Sequence, residues 1–249
     1  INMAGLKIYS TQNSKIQKTA ESEFEKSKYQ IQSKNGGNPS QAAMVIIDHK
    51  TGYVIGCVGG LGKKTEVRPV NRSTQSIRQT GSCIKPLSVL IPAIDKKIIT
   101  ASSIYDDIEQ DFPNGYHPTD YNKPLGKITV RRAVESSQNI PFVEIMQQLQ
   151  PQNSIKYLKK MGISTLTEED ETLVLALGGL QKGISTLEMA AGYAMIANDG
   201  EYIQPTFYTN INNSEGTTIL KAQQKKKRVV SQDVAYIVKE LSLIHISEP

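Results

Sequence analysis

Tryptophan is missing, cysteine occurs twice and histidine three times, and each shortage removes a class of chemistry. A structural zinc site takes four Cys or His ligands. Cys57 and Cys83 lack metal-like spacing and the scattered histidines cannot complete a set, so no metal is expected and both thiols read as buried small hydrophobes. Nucleophilic catalysis usually recruits His as its base. Here His49 falls in a hairpin turn, His117 in a loop before Pro118, and His245 among the last residues, which argues against a Ser-His-Asp arrangement. Long apolar runs are lacking too. No stretch approaches the roughly 18 apolar residues of a membrane helix, and Ile1-Asn2-Met3 lacks the basic-then-apolar layout of a signal peptide, so the segment as it stands is expected neither to span a bilayer nor to carry an export signal. Of the net charge of +5, Lys225, Lys226, Lys227 and Arg228 supply four. A nucleic-acid footprint needs basic residues spread over a face, whereas one short run reads as a solvated loop. Nucleic acid is therefore not an expected partner.

What is present is an ordinary globular balance, 38% hydrophobic and 21% charged, and an α/β succession of elements without internal repeats. From Asn13 or Ser14, Ile16, Ala20 and Phe24 recur every four residues, which predicts an amphipathic helix continuing to the turn-forming cluster Asn35-Gly36-Gly37-Asn38-Pro39. Ala42 to Ile47 and Tyr53 to Val58 predict a hairpin around Asp48-His49-Lys50-Thr51-Gly52, apolar enough to be covered on both faces. Helical patterns follow over Ser82 to Ile98 and Thr129 to Leu149, the second broken or kinked by Pro141 near Ile140, with a Pro/Asn/Gly-rich loop from Asp111 to Gly126 between them. Ser185-Thr186-Leu187-Glu188 predicts a capping box, opening a helix that Asn198-Asp199-Gly200 stops. A last helix is expected near Ser231.

Two short segments carry chemistry. In Arg78-Gln79-Thr80-Gly81-Ser82-Cys83-Ile84-Lys85-Pro86, a helix starting at Ser82 places Lys85 one turn along the same face, where its amine can reach the Ser82 hydroxyl. A lysine acting as base must be partly neutral, which calls for burial or a neighbouring cation. In Ser136-Ser137-Gln138-Asn139, an irregular turn before Pro141 projects Ser137 and Asn139 together: a hydroxyl to relay a proton, and a carboxamide with one donor and one acceptor for a peptide backbone.

These segments, in this order, resemble the transpeptidase domain of class A (bifunctional) penicillin-binding proteins. The likeness extends over an ordered series: Gly5-Leu6-Lys7-Ile8-Tyr9-Ser10-Thr11; Ala43-Met44-Val45-Ile46-Ile47-Asp48 with Val58-Gly59-Gly60; Asn71-Arg72-Ser73-Thr74-Gln75; Pro118-Thr119-Asp120-Tyr121, where Pro-x-Asn-Tyr is common; Ala176-Leu177-Gly178-Gly179; and Met189-Ala190-Ala191-Gly192-Tyr193-Ala194. Thr80 stands where the family usually has Pro. The resemblance implies an α/β (α+β) fold, the penicillin-binding/β-lactamase-like transpeptidase fold, with an antiparallel sheet flanked by helices. It implies Ser82 as acylating nucleophile, Lys85 as its base, Ser137 as proton relay and Asn139 as substrate-binding carboxamide, with no cofactor and no metal.

The partners implied are peptidoglycan stem peptides ending in D-Ala-D-Ala, and β-lactams. The expected location is the extracytoplasmic face of the cell membrane, reached through an anchor upstream of Ile1. Residues 1–39 are expected to be linker and 40–240 the N-terminal part of the transpeptidase domain. Residues 241–249, Leu-Ser-Leu-Ile-His-Ile-Ser-Glu-Pro, resemble a translated sequencing adaptor. The family's third motif, Lys-Thr/Ser-Gly, should follow the second. Lys50-Thr51-Gly52 precedes Ser82 in a hairpin turn and is rejected for that role, so the sheet is expected to be incomplete, the hairpin edge unpaired, and the segment by itself inactive. The competing readings are a serine β-lactamase, which shares both motifs but lacks the linker and the Asn71 to Gln75 approach, and a non-catalytic fragment.

Overall fold

A computed structural model describes residues 5–32, 36–37, 39–64 and 69–243, the side chain of residue 243 excepted. The fold is mixed α/β, with small antiparallel sheets and helices. The chain divides into two compact units, one made of residues up to Ile77 with Ser185–Ala194 and Ile203–Lys227, the other of Arg78–Ile184, Met195–Tyr202 and the chain from Arg228 onward.

In the first unit the helix Ser14–Phe24 is capped by Asn13, whose Oδ1 accepts the Lys15 and Ile16 N–H groups at 3.1 Å. It ends at Phe24, well short of the expected turn, because the four-residue apolar repeat fails there; Ser27–Tyr29 is a separate 3₁₀ turn. Of the expected turn, Asn35 and Asn38 lie outside the described residues. The hairpin pairs Met44–Asp48 with Tyr53–Val58. Its second strand buries alternate residues, Val54, Gly56 and Val58, so one face is covered rather than two. Gly56 lies under the Ser14–Phe24 helix, where an added Cβ would sit 3.2 Å from Ile16 Cγ2.

The Tyr53–Val58 edge of the hairpin is not bare. Gln17 donates to the Cys57 carbonyl at 2.9 Å and accepts its N–H at 2.8 Å, Asn13 N donates to the Ile55 carbonyl, and Thr206 bonds Val54 and Gly52. Local side chains and a single bridge thus satisfy backbone groups that a neighbouring strand would otherwise take. Cys57 is half-buried rather than buried, and its Sγ lies 2.9 Å from Ser73 Oγ, as a hydrogen-bonding group more than an apolar filler. Lys50-Thr51-Gly52 closes this hairpin: Lys50 N donates to Asp48 Oδ1 and Gly52 N to the Asp48 carbonyl, with Gly52 at φ +70°. A three-stranded antiparallel sheet sets Tyr208–Asn212 between Lys7–Ser10 and Thr218–Lys221. The expected capping box is formed, Ser185 Oγ accepting Glu188 N while Glu188 Oε2 accepts Ser185 N.

The second unit is built round one helical run, Gly81 to Asp95, in which Ile84, Leu87, Val89, Leu90, Ile91 and Ala93 are fully buried. A helix apolar on all sides belongs at the centre of a core. Against it pack the helices Ile140–Leu149, Pro151–Lys160 and Gln232–Leu243. The expected helix is present but not uniform: it opens as 3₁₀ over Gly81–Ile84, widens to a π-helical stretch over Pro86–Leu90 and becomes α over Ile91–Asp95. The two prolines explain this. Pro86 has no N–H for the Ser82 carbonyl, which takes the Lys85 N–H instead. Pro92 likewise leaves the Ser88 carbonyl free, and the buried Ser154 hydroxyl donates to it at 2.6 Å.

The run ends in a Schellman-type turn, with Ile98 N on the Ala93 carbonyl and Lys97 at φ +59°. An antiparallel strand pair that the sequence pattern does not predict, Ile104–Asp107 with Gly126–Thr129, follows. At the start of the last helix Ser231 Oγ accepts Val234 N.

Candidate active site

The Thr129 to Leu149 stretch is two helices, Val130–Glu135 and Ile140–Leu149, with Pro141 in the first turn of the second, where its missing N–H costs nothing. Between them the chain reverses through Ser137, at φ +51°. Gln138 N reaches the Ala133 carbonyl and Ser137 N the Val134 carbonyl, a helix-ending motif that normally seats Gly in the left-handed position. A serine there costs roughly 1–2 kcal/mol. That conformation frees the next two carbonyls, Ser137 O and Gln138 O, from the helix.

Both converge on Lys85. Its Nζ donates to Ser137 O at 2.8 Å, Gln138 O at 2.9 Å and Asn139 Oδ1 at 2.8 Å, with Ser137 Oγ at 3.4 Å. Three close acceptors match the three hydrogens of an ammonium. The Phe142 ring lies under it, 4.8 Å from the nitrogen. Lys85 is 3% exposed. Burial pushes its pKa down to about 8, against the attraction of the Asp120 carboxylate, which pushes it up. A depression of this size is worth about 3 kcal/mol against the charged form. The unfolded chain holds its lysines near the ordinary value, so this penalty is fully present below the folded pKa and fades as pH rises towards the ordinary lysine value.

Asn139 opens the second helix without capping it with its own side chain. Asp120 does so instead, accepting the Asn139 and Ile140 N–H groups. The Asn139 carboxamide is thereby released to bridge Lys85 through Oδ1 and the Thr119 carbonyl through Nδ2, the latter at 2.7 Å. Ser82 is exposed at the start of the helical run. Among the described residues, the hydrogen bonds of Lys85 do not include Ser82 Oγ. The expected direct contact is replaced because a buried ammonium needs every acceptor it can find, and carbonyl oxygens outbid a hydroxyl that water can serve. Cys83 beside it is exposed, not buried. Thr80 Oγ1 is buried with no hydrogen-bond partner among the described residues, in a position that suits an apolar ring better than a hydroxyl.

The model of the penicillin-binding protein transpeptidase domain matches residues 42–241. The chain belongs to this family. Penicillin-binding protein 1A of Clostridium tetani is 33% identical over 97% of the chain and 33% of its own length, and penicillin-binding protein 1F of Bacillus subtilis 33% identical over 90% and 30%. The chain thus spans about a third of the length of the curated relatives it matches. In fold it is similar to the PonA1 protein of Mycobacterium tuberculosis solved in complex with penicillin V, with TM-score 0.80, 23% identity, and coverage of 96% of this chain and 64% of that one. It is also similar to penicillin-binding protein 3 of the same organism complexed with aztreonam, with TM-score 0.81, 18% identity, and coverage of 98% and 59%.

Within this penicillin-binding protein domain, the structure gathers Lys85, Ser137 and Asn139 into one cluster and sets Ser82 one 3₁₀ turn before Lys85. Three residues of the cluster were not among the sequence candidates: Asp107, Asp120 and Gln138. Only Asp120 carried a signal, as an acid where Asn is common. A further constraint comes from Gly178, at φ +84°, where a Cβ would collide with the Gly81 backbone and come 2.6 Å from Thr80 Oγ1. Gly178→Ala therefore has to displace the peptide that leads into Ser82. A misplacement of about 1 Å can cost a hundredfold in rate. The expected result is a drop of that order in penicillin acylation in the full-length protein, measured by stopped-flow or gel labelling, with a smaller change in melting temperature.

Proposed function

We propose that the chain is the acylating part of a serine-type D,D-transpeptidase that crosslinks peptidoglycan stem peptides and is acylated by β-lactams at the same residue. The observation that carries this reading is the buried, pKa-depressed Lys85 amine, held by the Ser137–Asn139 turn three residues after an exposed serine, in a chain of this family. In the neutral state Lys85 takes the proton of Ser82 Oγ–H as the oxygen attacks the carbonyl between two D-alanines. The Ser82 N–H supplies one donor for the oxyanion. The C–N bond then breaks, and the Ser137 hydroxyl passes the proton from Lys85 to the departing amine of the terminal D-alanine. An amine from a neighbouring stem displaces the ester, restoring Ser82 Oγ–H. Asn139, with one donor and one acceptor, holds the backbone of the stem peptide. Its contacts to Lys85 and Thr119 O are those the peptide would share or displace.

The substrate class sets the place of work, the outer side of the cytoplasmic membrane. Among the described residues no helix is long and apolar enough to cross one. A penicillin V complex of PonA1 and a penicillin G acyl-enzyme of penicillin-binding protein A, both from M. tuberculosis, support β-lactam acylation as the assay. The full-length protein incubated with fluorescent penicillin is expected to form a stable covalent adduct on the peptide containing Ser82, identified by mass spectrometry. An adduct that decays within minutes rather than hours would favour the β-lactamase reading, and no adduct would remove both.

A further inference from the structure

Two carboxyls, Asp107 fully buried and Asp120 half-buried, lie beside the lysine cluster, and the mechanism above uses neither as acid or base. Asp107 closes the strand Ile104–Asp107 and is fully buried. Its Oδ2 accepts the Leu125 N–H at 2.7 Å and the Gln138 side-chain amide. Asp120 holds Asn139 N and Ile140 N through its carboxylate. The other oxygen of each, Asp107 Oδ1 and Asp120 Oδ2, is buried, and no N–H or O–H of the described residues reaches it. The two side chains are within hydrogen-bonding reach of each other. Two carboxylates cannot hydrogen-bond, because both are acceptors only, and two like charges in one buried site repel. A single proton between them resolves both problems, giving each orphaned oxygen a partner.

We infer that Asp107 and Asp120 form a carboxyl–carboxylate pair sharing one proton, and that this pair positions the Ser137–Asn139 turn around Lys85. Asp107 grips the turn by the Gln138 side chain and Asp120 grips it by the Asn139 backbone, so two successive residues of the turn are held, one by each acid. The shared proton also limits the pair to one negative charge beneath the ammonium, and a second charge would pull Lys85 back towards its charged form. The inference rests on the proposed function for its catalytic meaning and on geometry for its existence.

The charged and titratable groups around the pair are Lys85 on the central helical run, Asp106 on the same strand, and Glu144 on the Ile140–Leu149 helix. Burial pushes Glu144 up, and Asp106 and Asp107 push it further in that direction. Burial likewise raises Asp120, as does Asp107. A raised carboxyl contributes stability that is present below the ordinary carboxyl range and is lost as pH rises through the folded value. The pair is therefore expected to weaken on the alkaline side.

Asp120→Asn tests this, because an asparagine reproduces the shared-proton state without a proton: its Nδ2 donates to Asp107 Oδ1, its oxygen accepts Asn139 N, and the net charge of the pair stays at minus one. In full-length protein carrying carboxyl-¹³C aspartate, isotope-edited infrared spectra of the wild type are expected to show a protonated aspartate band that persists above the ordinary Asp range. That band should be missing from Asp120→Asn. The wild type should lose melting temperature as pH rises through the pair's titration, and Asp120→Asn should not. Asp120→Ala, which removes both grips on the helix start, should lower penicillin acylation by about a hundredfold, with Asp120→Asn restoring most of the loss. Absence of the protonated band in the wild type, or Asp120→Asn as damaged as Asp120→Ala, would overturn the pair. If Asp120→Ala does not fold, the band and the two melting profiles decide alone. A wild type that shows the band yet never reacts with penicillin would sink the proposed function and leave the pair standing.

Discussion

Ser82→Ala is expected to abolish covalent labelling by fluorescent penicillin, while Cys83→Ser leaves labelling within about twofold of wild type. The two residues are neighbours, both exposed and both nucleophilic in principle, so the prediction depends on the local helix. In a 3₁₀ turn successive side chains diverge by roughly 120°, and residues three apart eclipse one another. Gly81–Ile84 has that geometry, which sets Ser82 over Lys85 and turns Cys83 away from both. Removing the hydroxyl leaves no acceptor for the acyl group, so the loss is complete rather than graded. Labelling of Ser82→Ala at the wild-type rate, together with loss in Cys83→Ser, would exchange the two roles.

The parts of this site that were legible in the sequence are those set by local spacing. Ser82 and Lys85 are three residues apart and Ser137 and Asn139 two apart, so each pair travels as a unit whatever the fold does. A break near Ser137 was foreseeable from Pro141, which lacks the N–H that a continuous helix would direct at the Ser137 carbonyl four residues back. What could not be read were partners brought from a distance. Asp107 meets Gln138 across 31 positions and Asp120 meets Asn139 across 19, and neither acid lies in a periodic pattern.

The same limit applies to the fold. Ile104-Tyr105-Asp106-Asp107 is too polar to look like a strand: its one buried side chain is the Asp107 carboxyl, bonded by Leu125 N and Gln138, while Ile104 is exposed. The apolar repeat over Ser82 to Ile98 does predict a helix, but Pro86 and Pro92 dictate a 3₁₀-to-π-to-α succession that no hydrophobic period records. Conversely, the hairpin Met44–Asp48 with Tyr53–Val58 looked in need of a neighbouring strand, and its edge is met by Gln17, Asn13 and Thr206. Side-chain groups acting as strand partners leave no signature in a hydropathy pattern.

Acylation of the full-length protein is expected to rise about tenfold per pH unit below the Lys85 pKa and to level off above it, with the midpoint near the value of about 8 that burial imposes. The neutral amine is the form that can accept the Ser82 proton. At pH 7 a lysine of pKa about 8 is neutral in roughly a tenth of molecules, against about one in 3,000 at the ordinary value. Burial thus enriches the neutral form by about two to three orders of magnitude, and if Lys85 is the base the second-order rate constant for penicillin reports this pKa in the free enzyme. Lys85→Arg separates the two duties of the side chain. A guanidinium keeps the positive charge and the donors for Ser137 O, Gln138 O and Asn139 Oδ1 but cannot surrender a proton in this range, so the pinned turn is retained and the base is lost. General-base catalysis contributes about 10²–10⁴-fold, and the acylation rate of Lys85→Arg should fall by that amount and lose the rise centred near the Lys85 pKa. Stopped-flow acylation across the pH range, with melting curves to confirm the fold, measures both effects. A wild-type profile flat through the Lys85 pKa, or a slope that persists to the ordinary lysine value, would show that Lys85 is not the base, and the proton of Ser82 would then have to leave through Ser137 alone.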